Sequence, residues 1–413
     1  MESKKRPLII LAGGIVLIVL VSWFFKKYGP QPSPPHIVLI SIDALRGDYF
    51  SPEYMPRTYA WAEEHCALFP NTYSNSTWTS PSHVTMLSGL LQSQHRVEFM
   101  DNRVPPDVPM VQERLKEAGY ETGAFVGGGY ISRELGFDRG FDVFIEHSMF
   151  FNPASSRRTF RELREDAWQP VVDAREAVSG EIGRKPVFLF VHTYLVHEYF
   201  LYNFDGEAYP EAARNELNNE FIFSASAESK QRCYELAVKE MDARLYEFLQ
   251  ALLNSGLAPD LAIIITSDHG EGLGDQHGEY LSFAHAHAPY SDQIYVPLAV
   301  YGIPKGTYDN LVATKDIPAI IEGLAGLEGG SLYPSNDFVI SENVQFNRAL
   351  PSEPRAVAVT FPDRKILLTE ESRLFLYTDK RDTVDALSSD VGEIQVELSG
   401  KLKDDLRALG YLD

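Results

Sequence analysis

Cysteine is scarce: the 413-residue chain holds two, Cys66 and Cys233. Two thiols are too few for a disulfide scaffold, and neither lies in a CxxC pair or beside a candidate site histidine. Two buried thiols are expected; one bridge is the alternative for an extracytoplasmic domain. Basic charge is also short. The formal net charge is −21, whereas a general nucleic-acid binder needs clustered Lys and Arg to neutralise phosphates. The acidity reads as a solvated surface. Internal repeats are absent, and so is low-complexity sequence beyond one Pro-rich tract, which sets aside repeat architectures.

Charge is missing altogether from Pro7 to Phe25, an almost wholly apolar run between Lys4-Lys5-Arg6 and Lys26-Lys27. As a helix it would reach about 28 Å, near the thickness of a bilayer's hydrocarbon core. A cleaved signal peptide would have a shorter apolar run and a small-residue cleavage site. Here Ser22-Trp23-Phe24-Phe25 follows, so one uncleaved transmembrane helix is expected, with the N-terminus cytoplasmic. The flanking charges set that orientation only weakly. Gly29 to Pro35 then forms a stiff spacer. The expected organisation is a stub and anchor over 1–28, a spacer over 29–35, a catalytic domain over 36–332 and a C-terminal subdomain over 333–413.

What is present is an alternation of buried-strand and helix patterns. HIVLISI (36–42), 123–126, VFLFVH (187–192), LAIIIT (261–266) and VPLAVY (296–301) read as strands. Helices are expected over 56–67, 81–87, 109–118, 225–254 and 316–325, several with Pro near the start. This predicts an α/β sheet covered by helices on both faces. From about Leu332 the pattern changes to short antiparallel strands at 356–361, 364–369 and 374–377, with a last helix over 393–409.

Chemistry-bearing residues sit at strand ends. Asp43 follows the first strand, and Asp268-His269-Gly270-Glu271 follows LAIIIT. In open α/β sheets ligands bind beyond the carboxyl ends of the strands, so these groups can converge. An Asp after a strand can also simply cap the next helix; the Asp268 to Glu271 run is harder to explain that way. Thr79-Ser80-Pro81-Ser82-His83 offers a hydroxyl just before a helix, and an alcohol needs a metal or a base to attack at neutral pH.

In order along the chain, Asp43-Ala44-Leu45-Arg46, Thr79 to His83 with Thr85 to Gly89, Phe188 to His192 with His197, Thr266 to Gly274, His285-Ala286-His287 leading to Tyr290 and Val296-Pro297-Leu298, and Leu402 to Leu412 resemble the sulfatase branch of the alkaline phosphatase superfamily. The resemblance covers nearly all the chain after the spacer. It implies that Asp43, Asp268 and His269 are metal ligands and that Thr79 is both nucleophile and ligand. His197 and His287 would contact the transferred group or the leaving oxygen. His285 and His83 would bind substrate, while His192 reads as structural.

Departures from the family pattern redirect the chemistry. Thr79 stands where a sulfatase carries the Cys or Ser that becomes formylglycine, and oxidation of a secondary alcohol gives a ketone. His83 replaces an Arg, Ala44 the second Asp of a pair, and His269 an Asn. Gly127-Gly128-Gly129 occupies the place of a Lys-bearing motif. One divalent ion is expected, zinc or manganese because an imidazole joins the shell, with calcium or magnesium the remaining options. A second zinc would need an Asp-x-x-x-His pair that the sequence does not offer. The favoured activity is cleavage or transfer of a phosphoester through Thr79. The alternatives are a sulfuric ester hydrolase, an envelope phosphoryl-group transferase and a degenerate anion-binding protein. The partner is an anionic phosphate or sulfate ester, with the domain extracytoplasmic. The Asn75-Ser76-Thr77 sequon precedes the nucleophile in an expected buried approach and is discounted as a glycosylation site.

Overall fold

A computed structural model describes residues 34–147, 160–179, 185–203, 226–258, 260–277, 280–343, 356–369, 373–377 and 387–390. The apolar span Pro7–Phe25, the helix expected over 393–409 and the Leu402–Leu412 motif lie outside the described residues. Among those described, no helix is long and apolar enough to cross a membrane.

The β-branched runs pair as the centre of an eight-stranded mixed sheet. His36–Ile42 lies between Leu261–Thr266 and Val187–Thr193, parallel to both, with Ser41 level with Thr266 and with His192. Glu121–Val126 and Val143–Glu146 continue the parallel set on the Val187–Thr193 side. Leu298–Tyr301 was expected as a longer strand from Val296; it is shorter and runs antiparallel to Leu261–Thr266. Period-two alternation sends Val38, Ile40 and Ile42 into one core and Ile37 and Leu39 into the other.

Each core is closed by helices, as the alternating pattern predicts. Pro56–His65, Phe160–Ser179 and Ala227–Leu253 cover one face; Thr79–Ser88, Val111–Glu117 and Ile317–Leu324 cover the other. Sequence periodicity did not single out Phe160–Ser179, which carries Pro170 inside it. Both cysteines are free, buried thiols.

A second, five-stranded antiparallel sheet contains Val339–Asn343, Ala356–Thr360, Lys365–Thr369, Arg373–Tyr377 and Leu387–Asp390. Its first strand grips the segment before Thr79. Ser341 Oγ donates to the Ser74 carbonyl at 2.6 Å, Asn75 Nδ2 donates to the Ile340 carbonyl at 2.6 Å, and Glu342 N donates to the Asn75 carbonyl. Asn75, Ser76 and Thr77 are fully buried, so the sequon is part of the packing and closed to a glycan.

Candidate active site

Three neighbouring parallel strands end at one place, because Asp43, His192 and Asp268-His269 follow or close adjacent strands in matching register. The helix Thr79–Ser88 opens against them. Thr79 is its first residue, and Trp78 at the cap position makes no side-chain cap.

The two carboxylates share a pattern. Asp43 Oδ2 accepts from the Thr79 hydroxyl at 3.2 Å and from His192 Nε2 at 3.1 Å. Asp268 Oδ1 accepts from the amides of Ala44 at 3.2 Å and His269 at 2.9 Å. The other oxygen of each, Asp43 Oδ1 and Asp268 Oδ2, is buried without a hydrogen bond. Both face His269 Nε2, at 3.6 and 3.4 Å, and that nitrogen is 3.4 Å from Thr79 Oγ1. His269 Nδ1 lies 2.8 Å from the Gly270 carbonyl, which can only accept. The proton is therefore on Nδ1, and the Nε2 lone pair points into the cluster. Burial, with His285 beside it, pushes His269 down to about 3 and keeps it neutral. Two bare carboxylate oxygens and a neutral imidazole nitrogen around one hydroxyl fit a divalent cation.

The charges of Asp43 and Asp268 are set by opposite surroundings. Burial works against ionising Asp43, but His197, His192 and His269 outweigh it and hold it well below the usual range. Burial and the neighbouring Asp43 charge push Asp268 well up. Such buried like-charged pairs are typical of sites completed by a cation.

Around this cluster stand the other histidines. His83 donates from Nδ1 to the Thr79 carbonyl at 2.8 Å, while its Nε2 accepts from Ser41 Oγ at 2.9 Å. The ring is fully buried and both nitrogens are occupied within the protein. The geometry makes His83 a brace between the first strand and the Thr79 turn, in place of the substrate contact expected of it. His285 lies over the His269 imidazole, its ring 4.5 Å from that of His269 and 5.0 Å from that of His197. Burial opposes charge on His197, but Asp43, Glu198 and Glu271 outweigh it and raise it to about 9. His287 sits half-buried two residues beyond His285, its amide donating to Gln293 Oε1 at 3.1 Å.

Motif reading gave no role to two residues that the fold brings in. His192, read as structural, holds Asp43 Oδ2 through its Nε2 while its Nδ1 accepts from Gly127 N at 3.4 Å. The Gly127 to Gly129 run that replaces the Lys-bearing motif permits this: a Cβ on Gly127 would lie 2.3 Å from the Tyr194 ring and 3.4 Å from His192 Nδ1. Glu271 is buried, accepting from the Tyr199 hydroxyl at 3.1 Å and from His285 Nδ1 at 2.7 Å. Its place in the Asp268 to Glu271 run was the available signal.

Comparison with known proteins agrees with this architecture. A 2-O GAG sulfatase superposes with a TM-score of 0.64 at 17% identity, over 91% of each chain. A phosphonate monoester hydrolase of Agrobacterium radiobacter superposes at 0.59, 17% identical, over 91% of this chain and 94% of its own. These likenesses show that the chain has the fold of these two enzymes. The sulfatase family profile matches residues 35–327, and the chain belongs to the sulfatase family. Among curated relatives, a low-salt glycan biosynthesis sulfotransferase, Agl7, of Haloferax volcanii is 24% identical over 63% of this chain and 55% of its own length. Arylsulfatase K of Gallus gallus is 24% identical over 72% of this chain and 63% of its own. The chain thus spans less than two thirds of the curated relatives it matches.

Proposed function

We propose that this protein cleaves or transfers a phosphoester group, with Thr79 as the nucleophile. The observation carrying the proposal is the pair of bare oxygens on Asp43 and Asp268 meeting His269 Nε2 around the Thr79 hydroxyl. Asp43, Asp268, His269 and Thr79 Oγ1 would hold one divalent ion, zinc or manganese on the strength of the imidazole, which supplies Lewis-acid charge at the ester and the hydroxyl.

The chain's own groups do the rest. The Thr79 hydroxyl is aimed by its hydrogen bond to Asp43 Oδ2, which His192 steadies, and gives up its proton to water. The first-turn amides of Thr79–Ser88, lacking a side-chain cap, favour an anion at the helix start. Thr79 Oγ1 bonds to phosphorus as the bond to the leaving alcohol breaks. His197, cationic at neutral pH because it is raised to about 9, gives its proton to the leaving oxygen; His285 and His287 hold the phosphoryl oxygens. Water then resolves the phosphothreonine in a hydrolase, and an acceptor alcohol resolves it in a transferase. The apolar span Pro7–Phe25 supports a membrane anchor with the domain outside the cytoplasm.

The second reading, a sulfuric ester hydrolase, is favoured by the names of the arylsulfatase K relative and the 2-O GAG sulfatase. Against it stands Thr79, which cannot become the aldehyde of formylglycine. Turnover of matched aryl phosphate, phosphodiester and sulfate esters, with metal present, separates the readings. Phosphate esters should be cleaved far faster, and Thr79→Ala should abolish that turnover. Faster sulfate cleavage would move the chain to the sulfatase reading. A degenerate binding protein would turn over none of them and tolerate loss of the metal.

A further inference from the structure

Glu271 occupies the turn between the ligand His269 and the strand Gly272–His277. That strand pairs antiparallel with Tyr280–Ala284, and the ladder's first pair is Gly272 with Ala284. Glu271 and His285 are therefore the next residues outward from that pair, one on each arm. Their side chains meet: His285 Nδ1 is 2.7 Å from Glu271 Oε2, while Glu271 Oε1 accepts from the Tyr199 hydroxyl at 3.1 Å.

The backbone around His285 is held as tightly as its ring. Ala284 and Ala286 both have left-handed backbone, with φ of 61° and 66°. Non-glycine residues adopt that conformation rarely and at some energetic cost, and here two flank a single histidine. The Ala286 amide donates to the Thr77 carbonyl at 2.9 Å, tying this loop to the approach to Thr79.

We propose that Glu271 is a positioning residue that acts through His285. The Glu271 carboxylate accepts from His285 Nδ1–H, which fixes the rotation of the ring and leaves Nε2 as the nitrogen available to the group bound at Thr79. Tyr199 fixes the carboxylate in turn. The chain of contacts runs Tyr199, Glu271, His285, and it ends over the His269 ring. This assignment rests on the reading of His285 as a substrate contact.

A double-mutant cycle on the full chain tests it. Removal of such an outer partner typically lowers activity about 10–100-fold. Glu271→Ala should lose that much kcat/KM, and His285→Ala at least as much. Their combination should be no worse than His285→Ala alone. Glu271→Gln, which keeps an acceptor for Nδ1–H, should recover most of the activity, and Tyr199→Phe should give a smaller loss that vanishes in the His285→Ala background. Zinc and manganese affinities, measured by calorimetry, should be unchanged in every variant. Additive losses would overturn the proposal, as would a fall in metal affinity that tracks activity. Should Glu271→Ala fail to fold, the Tyr199→Phe and His285→Ala cycle decides by the same criterion. Full activity in His285→Ala, with Thr79→Ala inactive, would overturn this assignment while leaving the proposed function standing. If the wild type turns over no ester, the proposed function fails, and the cycle is read on the dissociation constant for inorganic phosphate with metal bound, where the same non-additivity is required.

Discussion

Asp43 and Asp268 face one another with one oxygen each bare, an arrangement that works against the metal-free fold. Two buried carboxylates this close resist ionising together, which is why Asp268 is pushed well up, and a cation would compensate the pair. Asp268→Asn keeps the oxygen that accepts from Ala44 and His269 and replaces the bare one with a neutral amide. Thermal unfolding of the metal-free variant should therefore lie above that of the wild type, while calorimetry should show metal affinity falling by at least about 10-fold. A variant that is less stable and still binds metal would mean the bare oxygens point elsewhere. Asp43, Thr79, Asp268 and His269 were legible in the sequence because each lies at the end of an apolar strand or the start of a helix. His192 and Glu271 were not, since their roles depend on Gly127, Tyr199 and His285, residues far away along the chain.

At the level of elements, the central strands of the main sheet could be read directly, because buried strands are written as unbroken apolar runs. Its outer strands Ala67–Leu68, Val143–Glu146 and Gly306–Thr307 could not, being two residues long or half-exposed. The hairpin Gly272–His277 with Tyr280–Ala284 could not, because Gly272-Leu273-Gly274-Asp275-Gln276-His277 has no apolar alternation. That hairpin nevertheless aims His285, and its entry is tight. Gly270 donates its amide to the Gln293 carbonyl at 2.8 Å, and a Cβ there would lie 2.0 Å from the Asp292 carbonyl oxygen. Gly270→Ala must push backbone against backbone and should destabilise by about 1–3 kcal/mol. The shift falls next to His269, so metal affinity should drop together with the denaturation midpoint. An unchanged midpoint would contradict the close approach. The grip of Val339–Asn343 on Ser74 to Asn75 was likewise invisible in the sequence, since nothing in either segment names the other.

For the whole molecule, acid should be the vulnerable direction. His95 and His269 are pushed down to about 3, mainly by burial, and burial lowers His83 and His192 as well. Between the ordinary histidine value of 6.5 and about 3, the unfolded chain binds protons that the folded one refuses. Stability is then full above 6.5 and lost as pH falls through that window. His197, raised to about 9, acts oppositely, its contribution fading as pH rises through that value. The melting temperature of metal-free protein should drop between pH 7 and 4, less so in His95→Gln; a flat profile would contradict neutral burial. The anchor is tested by removing residues 1–30: the remainder should be soluble, monodisperse and metal-binding, and protease outside spheroplasts should digest the full-length domain. Protection would reverse the proposed topology. The central claim, that Thr79 attacks phosphorus, is tested most directly by quenching the metal-loaded protein with an aryl phosphoester and mapping it by mass spectrometry able to separate phosphate from sulfate. The account predicts one phosphoryl group on Thr79, absent in Thr79→Ala and absent with the matched sulfate ester. Steady turnover with no label on Thr79, or a label that persists in Thr79→Ala, would contradict it.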